Sequence, residues 1–111
     1  MVAMAQLIPE DPQEQASVLE VLRTHPELKS FIAKASAKAE EIFPGATMHL
    51  DTVQYDDEDP PISLFIDAPV PWQDYKRGKD EFIRWLVTQP DFDIDLILAM
   101  PRWTGDLATA R

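Results

Sequence analysis

The residues whose type and spacing could do chemistry are mostly carboxylates. Asp91, Asp93 and Asp95 stand two residues apart. Their oxygens suit a hard divalent cation such as calcium or magnesium. A calcium loop, however, curls to converge its ligands, and it uses a glycine for the turn and a distal glutamate. Here Phe92, Ile94, Leu96, Leu98 and Met100 alternate with the acids. That alternation predicts an extended strand over 91–100, with a solvated row of carboxylates on one face. The run Asp56, Asp57, Glu58, Asp59 poses the same choice. It has no glycine, and Pro60 and Pro61 restrict its bending, so a solvated hairpin loop is favoured over a cation site. A docking knob for a basic partner stands between those two readings.

Of the two histidines, His25 precedes Pro26 at a helix start, which suggests a local structural role. His49 shares a strand face with Asp51, and a His–carboxylate pair can exchange protons. The pair alone is also what a wet strand surface carries. No Gly-x-Ser-x-Gly elbow, His-Glu-x-x-His pair or glycine-rich phosphate loop occurs, and the chain has only three glycines. No catalytic residue, resident metal or cofactor is therefore expected. Lys76, Arg77, Lys79 and Arg84 form the one basic cluster. Asp74, Asp80 and Glu81 are interleaved with it, so a helix with internal ion pairs is the simpler account than a phosphate grip.

The most suggestive feature is a repeated exit. One strand runs out into Ala68-Pro69-Val70-Pro71-Trp72 and another into Ala99-Met100-Pro101-Arg102-Trp103. If the two strands are parallel, both indoles leave the carboxyl end of the sheet, where ligand sites of open parallel sheets gather. Trp72, Trp103, Arg102 and Asp67 then form a candidate ligand- or partner-binding group, since Trp and Arg dominate binding hot spots. The competing reading is that both rings cap the core of a small domain.

Composition bounds what these residues can serve. The chain has 111 residues, 20 acidic and 10 basic side chains, a net charge of −10 and no cysteine. Disulfides and thiolate chemistry are excluded. The charge opposes nucleic-acid binding, which needs a basic face. No apolar run has the length of a membrane span. The first residues lack a signal-peptide pattern, so a cytoplasmic protein is expected. The charge is localised. No Lys or Arg occurs between Ala39 and Tyr75, a segment that carries −9 of the −10.

Prolines punctuate the elements that must position these groups. Asp11-Pro12 reads as an N-cap followed by a proline at the first helical position, opening a helix to about Arg23. Thr24 and Glu27 have capping-box spacing. A second helix then carries Leu28, Phe31, Ile32, Ala35, Ala39, Ile42 and Phe43 at helical period and stops at Pro44-Gly45. Strands are expected at 46–55 and 62–68, joined by the acidic loop. A third helix is expected over 74–89, with Tyr75, Phe82, Ile83 and Leu86 inward, Asp80 paired to Arg84, and Gly78 weakening its start. The last strand follows.

The fold class implied is α+β. It is a two-layer α-α-β-β-α-β domain over residues 11–103, with loose ends at 1–10 and 104–111. Its sheet is three-stranded and mixed, in order 1-2-3, with helices on one face; a sheet with the first strand central is the alternative. Asp51, Asp93 and Asp95 would sit on the outer strands and oppose edge-to-edge pairing.

The residues His25-Pro26-Glu27-Leu28-x-x-Phe31 and Ile42-Phe43-Pro44-Gly45-Ala46, followed by a hairpin and a late apolar strand, resemble a group of short bacterial α+β proteins of uncharacterised function. The resemblance spans roughly residues 25–100. It rests on cap and core positions, implies no activity, and does not extend to the Trp-bearing exit. The function expected is a non-enzymatic protein-interaction module whose partner is another protein or a second copy. A small-molecule or enzymatic site at the Trp72/Trp103 end is the alternative, and a divalent-cation site at the acidic hairpin or strand is a further one.

Overall fold

A computed structural model describes residues 7–54 and 56–105. Helix α1 spans Pro12–Thr24 and α2 spans Glu27–Ile42. Strands β1 (Thr47–Asp51) and β2 (Ile62–Ala68) follow, then α3 (Trp72–Val87) and β3 (Ile97–Trp103). The sheet order is β1-β2-β3. β1 pairs antiparallel with β2, and β3 pairs parallel with β2. The helices pack against one face of the sheet, giving the expected two-layer α+β architecture.

Local chemistry explains most boundaries. Asp11 accepts hydrogen bonds from the amides of Gln13 and Glu14 at 3.1 and 3.0 Å, with Pro12 at the first helical position, so α1 begins on a satisfied N-cap. Gly45 has φ +82°, the left-handed conformation that turns the chain from α2 toward β1. The core joins Val18 and Leu22 of α1, Leu28, Phe31, Ile32, Ala35 and Ala39 of α2, and Phe82 and Leu86 of α3 to the inner face of the sheet. That inner face carries Met48, Leu50, Ile62, Leu64, Ile66, Ile97 and Ala99. Leu7 is also buried in this core, although it was expected in a loose end; the remainder of both expected tails, 1–6 and 106–111, lies outside the described residues.

Several expectations are corrected. The capping box at Thr24 and Glu27 does not form: the Thr24 hydroxyl donates to the Glu20 carbonyl at 2.9 Å, and Pro26 precedes α2 without a side-chain cap. β1 ends at Asp51 rather than running to 55. The third helix, expected over 74–89, begins two residues earlier and ends two earlier, so Trp72 opens α3, three residues from Tyr75. The inward stripe of α3 is Tyr75, Gly78, Phe82 and Leu86, and Ile83 is 44 % exposed. Gly78 is there for contact: a Cβ would overlap the Phe43 ring and meet Ile42 Cγ2 at 2.8 Å. The intrahelical ion pair is Arg77 with Asp74, not Asp80 with Arg84.

The largest correction concerns the last strand. It runs over 97–103, not 91–100, and its inward residues are Ile97, Ala99 and Pro101. Leu98 is only partly buried and Met100 is 43 % exposed, so they face the other way. The Asp row lies before the strand. Asp93 accepts the Asp95 amide on its side chain at 2.9 Å and the amides of Leu96 and Ile97 on its carbonyl, folding 93–97 into a turn. Asp93 and Asp95 therefore do not guard a sheet edge; of the three acids, only Asp51 lies in an outer strand. Pro101 sits inside β3, which tolerates it because an edge strand has no second neighbour awaiting its missing N–H.

Candidate interaction surface

Pairing register places nine side chains on the sheet face away from the helices. Thr47, Asp67 and Arg102 form one cross-strand row; His49, Phe65 and Met100 form the next; Asp51, Ser63 and Leu98 form the third. All three rows follow from alternation along the strands, since the residues between them point into the core. The centre of this face is apolar. Phe65 is partly buried, Leu98 likewise, and Met100 is exposed.

One end of the face is polar and tightly organised. The Arg102 Nε donates to Asp67 Oδ1 at 2.9 Å, and Nη2 lies 2.8 Å from the same oxygen in an ion pair. The other oxygen, Oδ2, lies 3.7 Å from His49 Nδ1. The guanidinium carbon stands 4.5 Å above the Phe65 ring centroid, and the His49 ring lies 5.4 Å from it on the other strand. Phe65 is thus flanked by a cation and an imidazole, an arrangement that favours a flat and fixed ring. Charge-assisted pairing and stacking hold Arg102 along the face rather than out into solvent.

The indoles do meet at the carboxyl end of the sheet. Trp72 and Trp103 have centroids 5.0 Å apart at an interplanar angle of 63°, and Trp72 stacks on Tyr75 at 5.6 Å. Their polar atoms are already engaged. Trp103 Nε1 donates to the Val70 carbonyl at 2.9 Å, and the Tyr75 hydroxyl donates to the Pro101 carbonyl at 3.1 Å. Burial pushes the Tyr75 phenol above its usual pKa. The Thr104 amide donates to the Ala68 carbonyl at 3.2 Å, and Gly105 passes so close to Trp103 that a Cβ would meet its indole nitrogen at 2.5 Å. This cluster closes the end of the core like a plug. A shallow cleft of about 480 Å3 lies beside it, lined by Pro44, Val70, Pro71, Asp74, Arg77 and Glu81 among others, and neither indole lines it. The four residues grouped from sequence therefore separate into an aromatic plug, Trp72 with Trp103, and an ion pair on the open sheet face, Asp67 with Arg102.

The acidic loop spends part of its charge on its own turn. Asp56 Oδ1 accepts the Glu58 amide and Asp59 Oδ2 accepts the Asp56 amide, each at 3.0 Å; Gln54 donates to the Asp59 carbonyl at 2.7 Å. Asp57 and Glu58 are left pointing into solvent. The other acids are dispersed: Asp91 pairs with Lys34 at 2.9 Å, which holds its carboxyl below the usual range. Among the described residues no group of three or more His, Asp or Glu side chains converges as a metal site would require, and no helix is long and apolar enough to cross a membrane.

Sequence reasoning missed the open face as a unit because it placed Leu98 and Met100 inward. The signal that could have found it is Pro101-Arg102-Trp103. An Arg two residues beyond Met100 continues the period on the outer side, and counting back from it assigns Met100 and Leu98 to that side too.

Comparison with protein-family models, with curated proteins and with solved structures found no match for this chain. The likeness to short bacterial α+β proteins rests on the residues quoted for it alone.

Proposed function

We propose that this chain is a non-enzymatic protein-interaction module that binds through the open face of its sheet. The observation that carries the reading is the Phe65-centred row. A sheet of this kind has two faces, and burial against helices consumes one of them. The other keeps Phe65, Leu98 and Met100 in contiguous positions, framed by an ordered Arg102–Asp67 pair. An apolar centre with a polar, hydrogen-bonded rim is the anatomy of a docking patch. An uncovered face of three short strands offers little of the concavity that a small molecule needs. The His49–Asp67 contact belongs to the rim. It orders the face.

The acidic loop adds long-range attraction for partners with basic surfaces, an effect on encounter rate more than on affinity. The test is capture from lysate of the parent organism, comparing the natural chain with Phe65→Lys. The variant places a charge at the centre of the patch without touching the core. Proteins retained by the natural chain and lost by the folded variant are the expected result. Identical captures by both contradict the reading.

A further inference from the structure

The open face is not only apolar; its charges have a direction. Arg102 occupies one corner, on β3, and Asp51 occupies the diagonally opposite corner, on β1. Asp67 lies at the end of the middle strand beside Arg102, and His49 lies midway along β1. A face with opposite charges at opposite corners is suited to meet itself, because a two-fold axis brings residue i of one copy to residue j of the other and the reverse.

Resting on the reading of this face as a docking surface, we propose that its occupant is a second copy of this chain. The two sheets cross near a right angle about a diagonal two-fold axis that runs from Thr47 through Phe65 to Leu98. Sheets pack face to face either nearly aligned or nearly orthogonal, and symmetry leaves four ways for this face to meet itself. An aligned packing with the axis along β2 stacks Asp67 on Asp67. An aligned packing with the axis across the strands sets Arg102 over Leu98 and Asp51 over Thr47, leaving the charges without intermolecular partners. An orthogonal packing about the other diagonal stacks Arg102 on Arg102 and Asp51 on Asp51.

The remaining orthogonal packing sets Arg102 over Asp51 of the second copy, twice, and His49 over its Asp67, twice. Phe65 meets Phe65, Leu98 meets Leu98 and Met100 covers Ser63. The match is metrically close: strands about 4.8 Å apart and same-face residues about 6.7 Å apart make the corners interchange to within roughly 3 Å. Asp51 keeps an oxygen for this role, since only Oδ1 is used by its own turn, accepting the Val53 amide at 2.6 Å.

The size of the face sets the strength. Three strands by three same-face rows project roughly 14 by 20 Å. That is below the standard interface of about 800 Å2 per partner, so the pair is a weak, exchanging dimer.

Because the chain has no cysteine, each engineered cysteine is a single addressable thiol. The experiment joins sedimentation velocity of the natural chain, from about 10 μM to about 1 mM, with cross-linking of single-cysteine variants. The cross-linker is a short bis-maleimide able to span one inter-sheet gap of about 10 Å. The expected result is a sedimentation coefficient that rises with concentration toward that of a dimer. Thr47→Cys and Leu98→Cys, which lie on the axis, are expected to link about tenfold faster than Met100→Cys, which is exposed but off the axis; Ser63 is buried in the single chain, so Ser63→Cys counts only if it links fastest. Fastest linking at Met100→Cys or Ser63→Cys assigns an aligned packing and overturns the geometry. A chain that stays monomeric throughout overturns the second copy as occupant. If that monomer still captures another protein that Phe65→Lys loses, the docking reading stands without the dimer; if it captures none, both fall.

Discussion

The two faces of one sheet are built from the same three strands and differ in nearly everything else. On the covered face, Leu50, Ile62, Leu64, Ile66 and Ile97 are at most 1 % exposed, and none carries a polar side-chain atom. On the open face every row contains at least one hydrogen-bonding or charged side chain, and two of the three set it beside an apolar one. Adjacent residues Leu64 and Phe65 therefore live in different physical regimes. Leu64 is held by dispersion and the exclusion of water. Phe65 is held by a guanidinium above it and an imidazole beside it. The contrast teaches that the covered face is optimised for stability, whereas the open face is ordered by interactions that remain compatible with a partner.

The comparison breaks most visibly by truncating each neighbour in turn. Leu64→Ala leaves a cavity in the packed layer and should cost about 2–5 kcal/mol in urea denaturation. Phe65→Ala removes a partly buried ring that lies outside the core and should cost about 1 kcal/mol or less. Equal costs would show that the open face is part of the core.

A second probe sharpens the covered side. Gly78→Ala raises helix propensity by about 1 kcal/mol but drives a methyl into Phe43 and Ile42. Overpacking should win, for a net loss of about 1–2 kcal/mol in Tm-derived stability. A stabilised variant would mean the α2–α3 contact is loose.

Among the described residues, Ser36 intrudes into that side, 1 % exposed, with a hydroxyl that has no hydrogen-bond partner. Ser36→Ala should stabilise the fold by about 1 kcal/mol, since an unmet buried hydroxyl is removed. Destabilisation would reveal a hydrogen bond there.

The smallest effect lies away from both faces, at Lys34 and Asp91. The Lys34 hydrogen bond lowers the Asp91 pKa in the folded chain. Stability from this pair is then present above the unfolded carboxylate pKa and lost as pH falls through the depressed folded value. Lys34→Ala should therefore lower stability slightly at neutral pH and make no difference once Asp91 is protonated in both states. Both side chains are substantially exposed, so the shift is expected to be small. Loss that persists unchanged at low pH would assign Lys34 a packing role instead.

How much of this was legible in the sequence differs between the two faces. Ile62, Leu64 and Ile66 alternate with Ser63 and Asp67, so β2 declared its faces, and Leu28, Phe31, Ile32, Ala35 and Ala39 declared the buried stripe of α2. A hairpin and one helical crossover left two sheet orders, and the apolar character of β2 selected β1-β2-β3, the order found. β3 misled because apolar residues recur at every second position from Phe92 to Met100. The turn hydrogen bonds of Asp93 end that register before the strand begins, which periodicity cannot see. Phe92 instead stacks on Phe31 at 5.6 Å, below the sheet's end. Gly78 was read as a propensity defect because its reason, the Phe43 ring, is 35 residues away in sequence. The Asp67–Arg102 pair was found as a group but not as a place, since its position depends on the register of β3.

The central claim, that a second copy docks on the open sheet face, is tested most directly by amide NMR of the natural chain over a concentration series. The account predicts progressive shifts confined to Thr47–Asp51, Ser63–Asp67 and Leu98–Trp103, largest near Phe65, with the α1 and α2 surfaces silent. Shifts centred on the acidic loop at Asp56–Asp59 or on the helices, or none at any concentration, would contradict it.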